Sequence, residues 1–469
     1  MNSGTQGSLR FVGFATAVAA IGGFLFGYDT AVINGATSYL KAHLALTPAQ
    51  VGTAGASAIL GCIPGAIFAG FLSDRFGRKK LLFLCALLYA ASGLLSAIPR
   101  TFGQFLAARF ISGLGIGASS MICPVYIAEI SPGKWRGRLG TLFQLGIVSG
   151  IFLTLFINKV IQGLGDDAWN ITTGWRWMLG MEIVPALLFI ALLFTVPESP
   201  RWLAQNGREN EARDILGKVG GAAHAATELA AIQAAATAEE GRFSELFTRT
   251  YRRPLLIAVL LMMCSQFCGI NAIMYYSTSI FESAGTVKNA AFASSVWVGL
   301  INFLATFLAI ALVDKAGRRP LLLVGTAVQM VALGLVGWMF QTQHSGLGLL
   351  LCILVFIAAF AMAMGPIPWI LCSEIFPNKV RGRAMSLATF TIWASCYVVA
   401  QTFPMMNESK DIGPAVTFWI YAGVSLLSFL FVLMLVPETK RRTLEDIESI
   451  WRAPARSSAE DRSEAATKP

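Results

Sequence analysis

Charge is scarce in this chain. Only 13% of its 469 residues are Asp, Glu, Lys or Arg and 55% are hydrophobic, whereas soluble domains average about 25% charged and roughly 45–50% apolar. A soluble globular fold is excluded on that ground. Histidine occurs three times. All eight cysteines fall inside apolar stretches, and Cys264 with Cys268 lacks the His or further Cys of a zinc site. Neither a metal centre nor a disulfide framework is expected. The polar start MNSGTQGSLR leads into a long apolar stretch without an A-x-A cleavage site, which reads as a retained first helix rather than a secretory signal.

Uninterrupted hydrophobic sequence is what the chain has in abundance. Near-uncharged stretches of about 20 residues, enough for a helix to cross some 30 Å of hydrocarbon, run over 11–33, 51–72, 81–98, 104–128, 137–160 and 177–196. Six more follow at 254–281, 291–313, 321–340, 347–372, 382–405 and 414–436. The expected fold is an all-α membrane protein of twelve transmembrane helices, with the lipid bilayer as its surroundings. The net charge of +10 does not point to nucleic acid, because it is distributed by loop. Arg75, Arg78, Lys79 and Lys80, then Lys134, Arg136 and Arg138, then Lys315, Arg318 and Arg319, then Lys379, Arg381 and Arg383 follow the even-numbered spans two, four, eight and ten. The positive-inside rule makes those loops, both termini and the 201–250 segment cytoplasmic.

The chain also repeats itself. GFLSDRFGRKK (70–80) is echoed by AIALVDKAGRRP (309–320), AEISPGKWRGR (128–138) by SEIFPNKVRGR (373–383), and VPESPRW (196–202) by VPETKRR (436–442). Three matched pairs in one order imply two six-helix bundles, residues 1–200 and 251–440. Parallel repeats of this kind place a substrate site between them near the bilayer midplane. Residues 201–250 mix charge with helix formers and read as cytoplasmic helices linking the bundles. Residues 441–469 read as a cytoplasmic helix and a disordered tail. In the repeated motifs Gly70 is expected to let helices approach closely. Asp74, Arg78, Glu129, Arg138, Arg318, Glu374 and Arg383 form a candidate cytoplasmic charge latch, with Arg78 and Arg318 facing Glu129 and Glu374; fixing topology alone is the plainer role for the basic members.

Three charges fall inside spans: Asp29 in span one, Arg109 in span four and Glu182 in span six. An ionisable residue at the bilayer centre costs roughly 2.5–3.5 kcal/mol on insertion scales, and so marks a relay or an ion pair. Paired with Arg109, Asp29 favours its charged form; separated from it in low dielectric, it favours taking up a proton.

Eight motifs now stand in order: FGYDTAVINGA (26–36), DRFGRKK (74–80), PVYIAEISPGKWRGR (124–138), PESPRWL (197–203), QFCGINAIMYYS (266–277), DKAGRRP (314–320), GPIPW (365–369) and PETKRRTLEDIE (437–448). To about residue 450 the chain resembles the sugar porter family of the major facilitator superfamily. The resemblance implies a monosaccharide transporter working by alternating access as a monomer in a bacterial plasma membrane, not an enzyme, with no cofactor beyond a coupling proton. It implies that Asp29 takes up and releases that proton against Arg109, with Glu182 nearby. Gln144, Gln266, Asn271, Asn302 and Trp369 match positions that hydrogen-bond or stack on the sugar, and Phe26, Tyr275, Tyr276 and Trp393 match gate and lining positions. Amides, hydroxyls and aromatic faces are the groups that a sugar's hydroxyls and apolar ring face require. Gly269 and the pair Pro366 and Pro368 interrupt spans seven and ten where the site would bend.

The chain departs from the pattern at Ser265, Ile392 and Cys396, where relatives often carry amides or other polar groups, so fewer hydrogen bonds await the sugar. A facilitator in which Asp29 and Arg109 form a static brace, and a non-transporting sugar sensor, are the alternatives. An intramembrane aspartyl protease is excluded because Asp166, the only partner its signature offers Asp29, lies in a loop. The glycines 113, 115 and 117 sit mid-span and suit helix packing rather than nucleotide binding.

Overall fold

A computed structural model describes residues 8–236, 243–344 and 346–440, with the side chains of 314 and 378 left aside. Among these residues every regular element is a helix. Twelve are long and apolar enough to cross a membrane: Leu9–Leu44, Pro48–Phe76, Arg78–Ala97, Phe102–Ile130, Gly133–Gln162 and Asp167–Leu193, then Arg252–Ser283, Lys288–Val313, Arg318–Gln341, Leu347–Glu374, Lys379–Asn407 and Gly413–Leu435. They are numbered span one to span twelve. The cytoplasmic helix and tail expected over 441–469 lie outside the described residues.

Local chemistry sets several ends. Ser8 caps span one by accepting from Phe11 N, and Thr47 with Gln50 forms a reciprocal capping box ahead of Pro48 in span two. Thr101 accepts from Gln104 N at the start of span four. The spans outrun the apolar windows: span one continues eleven residues beyond 33, and span six starts at Asp167 rather than 177. The apolar windows mark what hydrocarbon demands, whereas backbone hydrogen bonding continues wherever polar residues can solvate or cap it. In span six the polar run Asp167–Thr173 is carried by a wide turn over Asn170–Gly174. Asn170 anchors that turn by donating to the carbonyls of Gln162, Gly165 and Asp166.

Spans one to six pack on one another, span two against four and one against five. Glycine permits both approaches. A Cβ on Gly113 would stand 1.8 Å from the Ala58 carbonyl oxygen, and one on Gly27 1.9 Å from that of Ile147. Gly70 does not share this role: a Cβ there would meet nothing within 4 Å. Its exposed position on span two corrects the expectation of a close helix crossing.

The two sets of six spans meet at the face opposite the basic loops, here the far face. Lys41 pairs with Glu408 at 2.7 Å and Lys288 with Asp167 at 3.0 Å. Deeper in, the Tyr276 hydroxyl of span seven lies 3.5 Å from Val51 O of span two, and Phe152 stacks on Phe303 with centroids 6.2 Å apart. Leu155 of span five packs on Gly299 of span eight. Gln144, three turns nearer the basic loops on the same stripe of span five, is exposed. Spans five and eight therefore touch at the far face and diverge toward the basic face.

Between spans six and seven, helices Pro200–Gln205 and Glu209–Ala236 and the turn Phe243–Phe247 lie against the basic face. Trp202 donates to Asp74 O at 2.8 Å, Arg136 reaches Glu228 at 3.4 Å, and Lys379 pairs with Glu245 at 3.0 Å.

Candidate functional site

Asp29 is fully buried, less than one turn into the far half of span one, just past the contact that Gly27 makes with span five. Arg109 of span four is 2% exposed. Its Nη1 donates to Asp29 Oδ1, and its Nη2 to the Asp29 main-chain carbonyl at 3.2 Å. A guanidinium suits this because its planar fork reaches two acceptors at once. The pair is incomplete on both sides: Asp29 Oδ2 and Arg109 Nε are buried without a hydrogen-bond partner.

Beside them lies a cavity of about 10 Å³, room for about one water, lined among others by Asp29, Cys62, Arg109, Tyr275 and Trp393. Its walls come from spans one, two, four, seven and eleven, so both halves contribute. Glu182 sits where span six breaks at Met181, 1% exposed, with Oε1 unpartnered. Its Cβ lies 3.3 Å from where a Cβ on Gly93 of span three would be. It is within electrostatic reach of both Asp29 and Arg109.

The candidate sugar groups form a looser set. Span seven breaks at Gly269, whose φ of +89° favours glycine and whose missing Cβ would stand 2.6 Å from the Tyr421 ring. The break turns two amides toward each other: Asn271 Nδ2 donates to Gln266 Oε1, and Gln266 Nε2 donates to Ser265 Oγ at 3.1 Å. Tyr275 and Cys396 approach at 3.8 Å. Phe26 and Trp393 meet across the halves with centroids 5.8 Å apart. Tyr276 packs beside Tyr275 at 6.3 Å and donates to Ala400 O at 3.0 Å. Asn302 is buried in span eight, while Gln144 and Trp369 are exposed. The side chains of these three make no hydrogen bond to another described residue. Span ten breaks over residues 363–366, just ahead of Trp369.

The basic-face charges pair within each half. Arg78 binds Glu129 through two bonds of 2.8 and 2.9 Å and Asp74 at 3.1 Å, and Ser199 adds a donor to Glu129. Arg318 reaches Glu374 at 2.9 Å, where Thr439 repeats the part of Ser199. Arg138 is exposed with its guanidinium 5.3 Å over the Trp135 ring, and Arg383 is exposed on span eleven. All these contacts exist while the far face is closed.

A protein-family model described as "Sugar (and other) transporter" matches residues 15–451. The chain belongs to the sugar transporter family. It is 43% identical over 446 residues to the arabinose-proton symporter of Bacillus subtilis, covering 95% of this chain and 96% of that one. It is 38% identical over 484 residues to the D-xylose-proton symporter of Escherichia coli K12, covering 95% and 97%. Among solved structures it is similar to the xylose transporter of Escherichia coli in an inward-open conformation, with a TM-score of 0.84 at 38% identity over 93% of this chain and 99% of that one. A structure of the proton:xylose symporter bound to 6-bromo-6-deoxy-D-glucose, a major facilitator superfamily protein, gives 0.78 at 37% identity over 94% and 99%.

For a sugar transporter family member, two residues of the site were missed from sequence. Cys62 lines the cavity beside Asp29. Asn34 joins span one to span seven at the far face. An intramembrane amide in VINGA was visible as a polar residue on the helix that carries Asp29, but nothing in the sequence names the span it faces.

Proposed function

We propose that this chain moves a monosaccharide across the membrane together with a proton, by alternating access between two six-helix halves, residues 1–200 and 251–440, joined by the 201–250 linker. The observation that carries the reading is the buried, incomplete Asp29–Arg109 pair at the cavity where the halves meet. Asp29 has a free carboxylate oxygen positioned to take a proton, and a single cation holds its charge. Protonation weakens the attraction to Arg109 and biases the rocking equilibrium. One proton moving down about 150 mV supplies roughly 3.5 kcal/mol, enough for a sugar gradient of a few-hundred-fold at about 1.4 kcal/mol per decade.

The remaining roles follow. Gln144, Gln266, Asn271, Asn302 and Trp369 bind the sugar when the halves bring them together; Phe26, Tyr275, Tyr276 and Trp393 line and gate the path; Glu182 tunes the field at the pair. The basic face is cytoplasmic in the plasma membrane, by the positive-inside rule, and the monomer suffices. With that orientation the closed far face makes this an inward-facing state. The Asp74, Arg78, Glu129 and Arg318, Glu374 clusters brace span ends for closure of the cytoplasmic face, against which Arg138 and Arg383 then dock.

The test is uptake of arabinose, D-xylose, D-glucose and D-galactose into proteoliposomes with and without an inward proton gradient. Wild type accumulates at least one of them, and Asp29→Asn exchanges that sugar without accumulating it. Equilibration indifferent to the gradient would instead make the chain a facilitator, with the pair as a brace between spans one and four.

A further inference from the structure

Spans five and six leave between them a groove of about 500 Å³ near the far face, within the roughly 300–1,000 Å³ range of small-molecule pockets. Phe156, Val160 and Leu164 form one wall and Trp169, Trp177 and Met181 the other, and every side chain lining it is apolar. Leu164 is 70% exposed and Trp177 57%. Water would oppose such an opening, whereas hydrocarbon does not.

The sequence shapes this groove. Trp169 closes its outer end because Gly165 and Gly174 leave room for the ring, where a Cβ would stand 2.6 and 3.0 Å from it. A tryptophan at the end of a span settles at headgroup level. From Leu164 inward to Phe156, span five covers eight residues, about 12 Å at 1.5 Å per residue, close to the roughly 15 Å that half of a 30 Å hydrocarbon core provides. The groove thus runs from headgroup level toward the midplane. Asn170 of span six donates to the Gln162 carbonyl at the end of span five at 3.0 Å, so the gap cannot widen to the 10–12 Å diameter of a further helix. A single hydrocarbon chain fits the path.

The inner end of the groove is where span six breaks. Pro185 has no N–H to give the Met181 carbonyl; Val184 N takes it instead at 3.2 Å, and the regular helix is interrupted over Met181 and Glu182. Met181 lines the groove, while Glu182, the next residue, is buried within electrostatic reach of Asp29 and Arg109. We propose that the groove seats one acyl chain of a phospholipid from the far leaflet, and that this chain, packed on Met181, steadies the break that carries Glu182. A seated chain gives Met181 dispersion contacts that the open groove lacks; without it the break shifts, and Glu182 with it. The second half of the proposal rests on the proton-coupling reading, the first does not.

The experiment uses the full chain in phosphatidylcholine liposomes that carry a minor fraction of phosphatidylcholine with a diazirine at the end of one acyl chain. Photolabelling of Phe156, Trp177 and Met181 is expected to be about tenfold denser than that of Leu427, an exposed residue near the middle of span twelve, a ratio equivalent to about 1.4 kcal/mol of preference. Val160→Trp, which lays a ring across the groove, should bring labelling of Met181 down to the level of Leu427 and move the midpoint of sugar uptake against external pH; Leu427→Trp should change neither. Equal labelling of the groove and span twelve in wild type would mean annular lipid only and overturns the seat, as does undiminished labelling in Val160→Trp. Labelling lost with the pH profile unmoved overturns the link to Glu182. If Val160→Trp does not fold, Leu164→Trp at the open mouth decides. Labelling needs no sugar, so a wild type that fails to accumulate sugar would overturn the transport reading while the seat is judged on its own.

Discussion

Arg109 spends two of its N–H groups on Asp29 and leaves Nε without a partner, so this buried charge pair is held by fewer bonds than its chemistry allows. Removing one member of such a pair strands the other. Arg109→Ala should lower stability by about 3–5 kcal/mol, read as a fall in the thermal midpoint of tryptophan fluorescence in detergent. The double variant Asp29→Asn with Arg109→Gln should regain most of that loss, since a neutral pair carries no stranded charge. An equal loss in both variants would show that packing rather than charge holds the position. Arg109→Lys isolates geometry from charge: an ammonium can meet Oδ1 but lacks the second arm for the Asp29 carbonyl.

At the scale of the helices, stability and bending are divided between different glycines. Gly113→Val forces a side chain into the Ala58 carbonyl and should prevent spans two and four from docking, seen as loss of the monodisperse peak in size-exclusion chromatography; Gly70→Val, with open space around it, should be silent. The contrast also shows what the sequence could reveal. Twelve spans, their order and the breaks near Gly269 and Pro366 were legible because hydrophobic length and helix-breaking chemistry are local properties. Gly70 was misread because a glycine before a charged loop has the same look whether it faces a helix or open space. Span six began ten residues early because Asn170 anchors a turn whose partners, Gln162 at the end of span five and Gly165 in the loop after it, come from sequence before the span. Asp29 and Arg109 stood out as charges among apolar residues, whereas Asn34 did not, since its hydrogen-bond partner lies on another helix 240 residues away.

Across the whole molecule the three intramembrane ionisable groups lie in one half, and all the candidate sugar groups but Gln144 of span five lie in the other. Asp29, Arg109 and Glu182 sit in spans one, four and six, while Gln266, Asn271, Asn302 and Trp369 belong to spans seven, eight and ten. Any coupling between them crosses the seam closed by Phe152, Leu155 and Gly299 at the far side. A wedge there, Gly299→Trp, should hold the far face apart; dye labelling of a cysteine in place of the buried Ser277 is expected to become fast, and net sugar uptake to stop. Slow labelling with normal uptake would show that the seam accommodates the ring. The burial of Asp29 beside Arg109 has a consequence for how the protein is made. Span one leaves the ribosome well before span four, so its carboxylate meets lipid with no guanidinium yet synthesised, and the helix either waits at the translocon or enters with its acid protonated. The order of the genetic message thus obliges the same residue to be tolerated alone in the bilayer before it can be paired there.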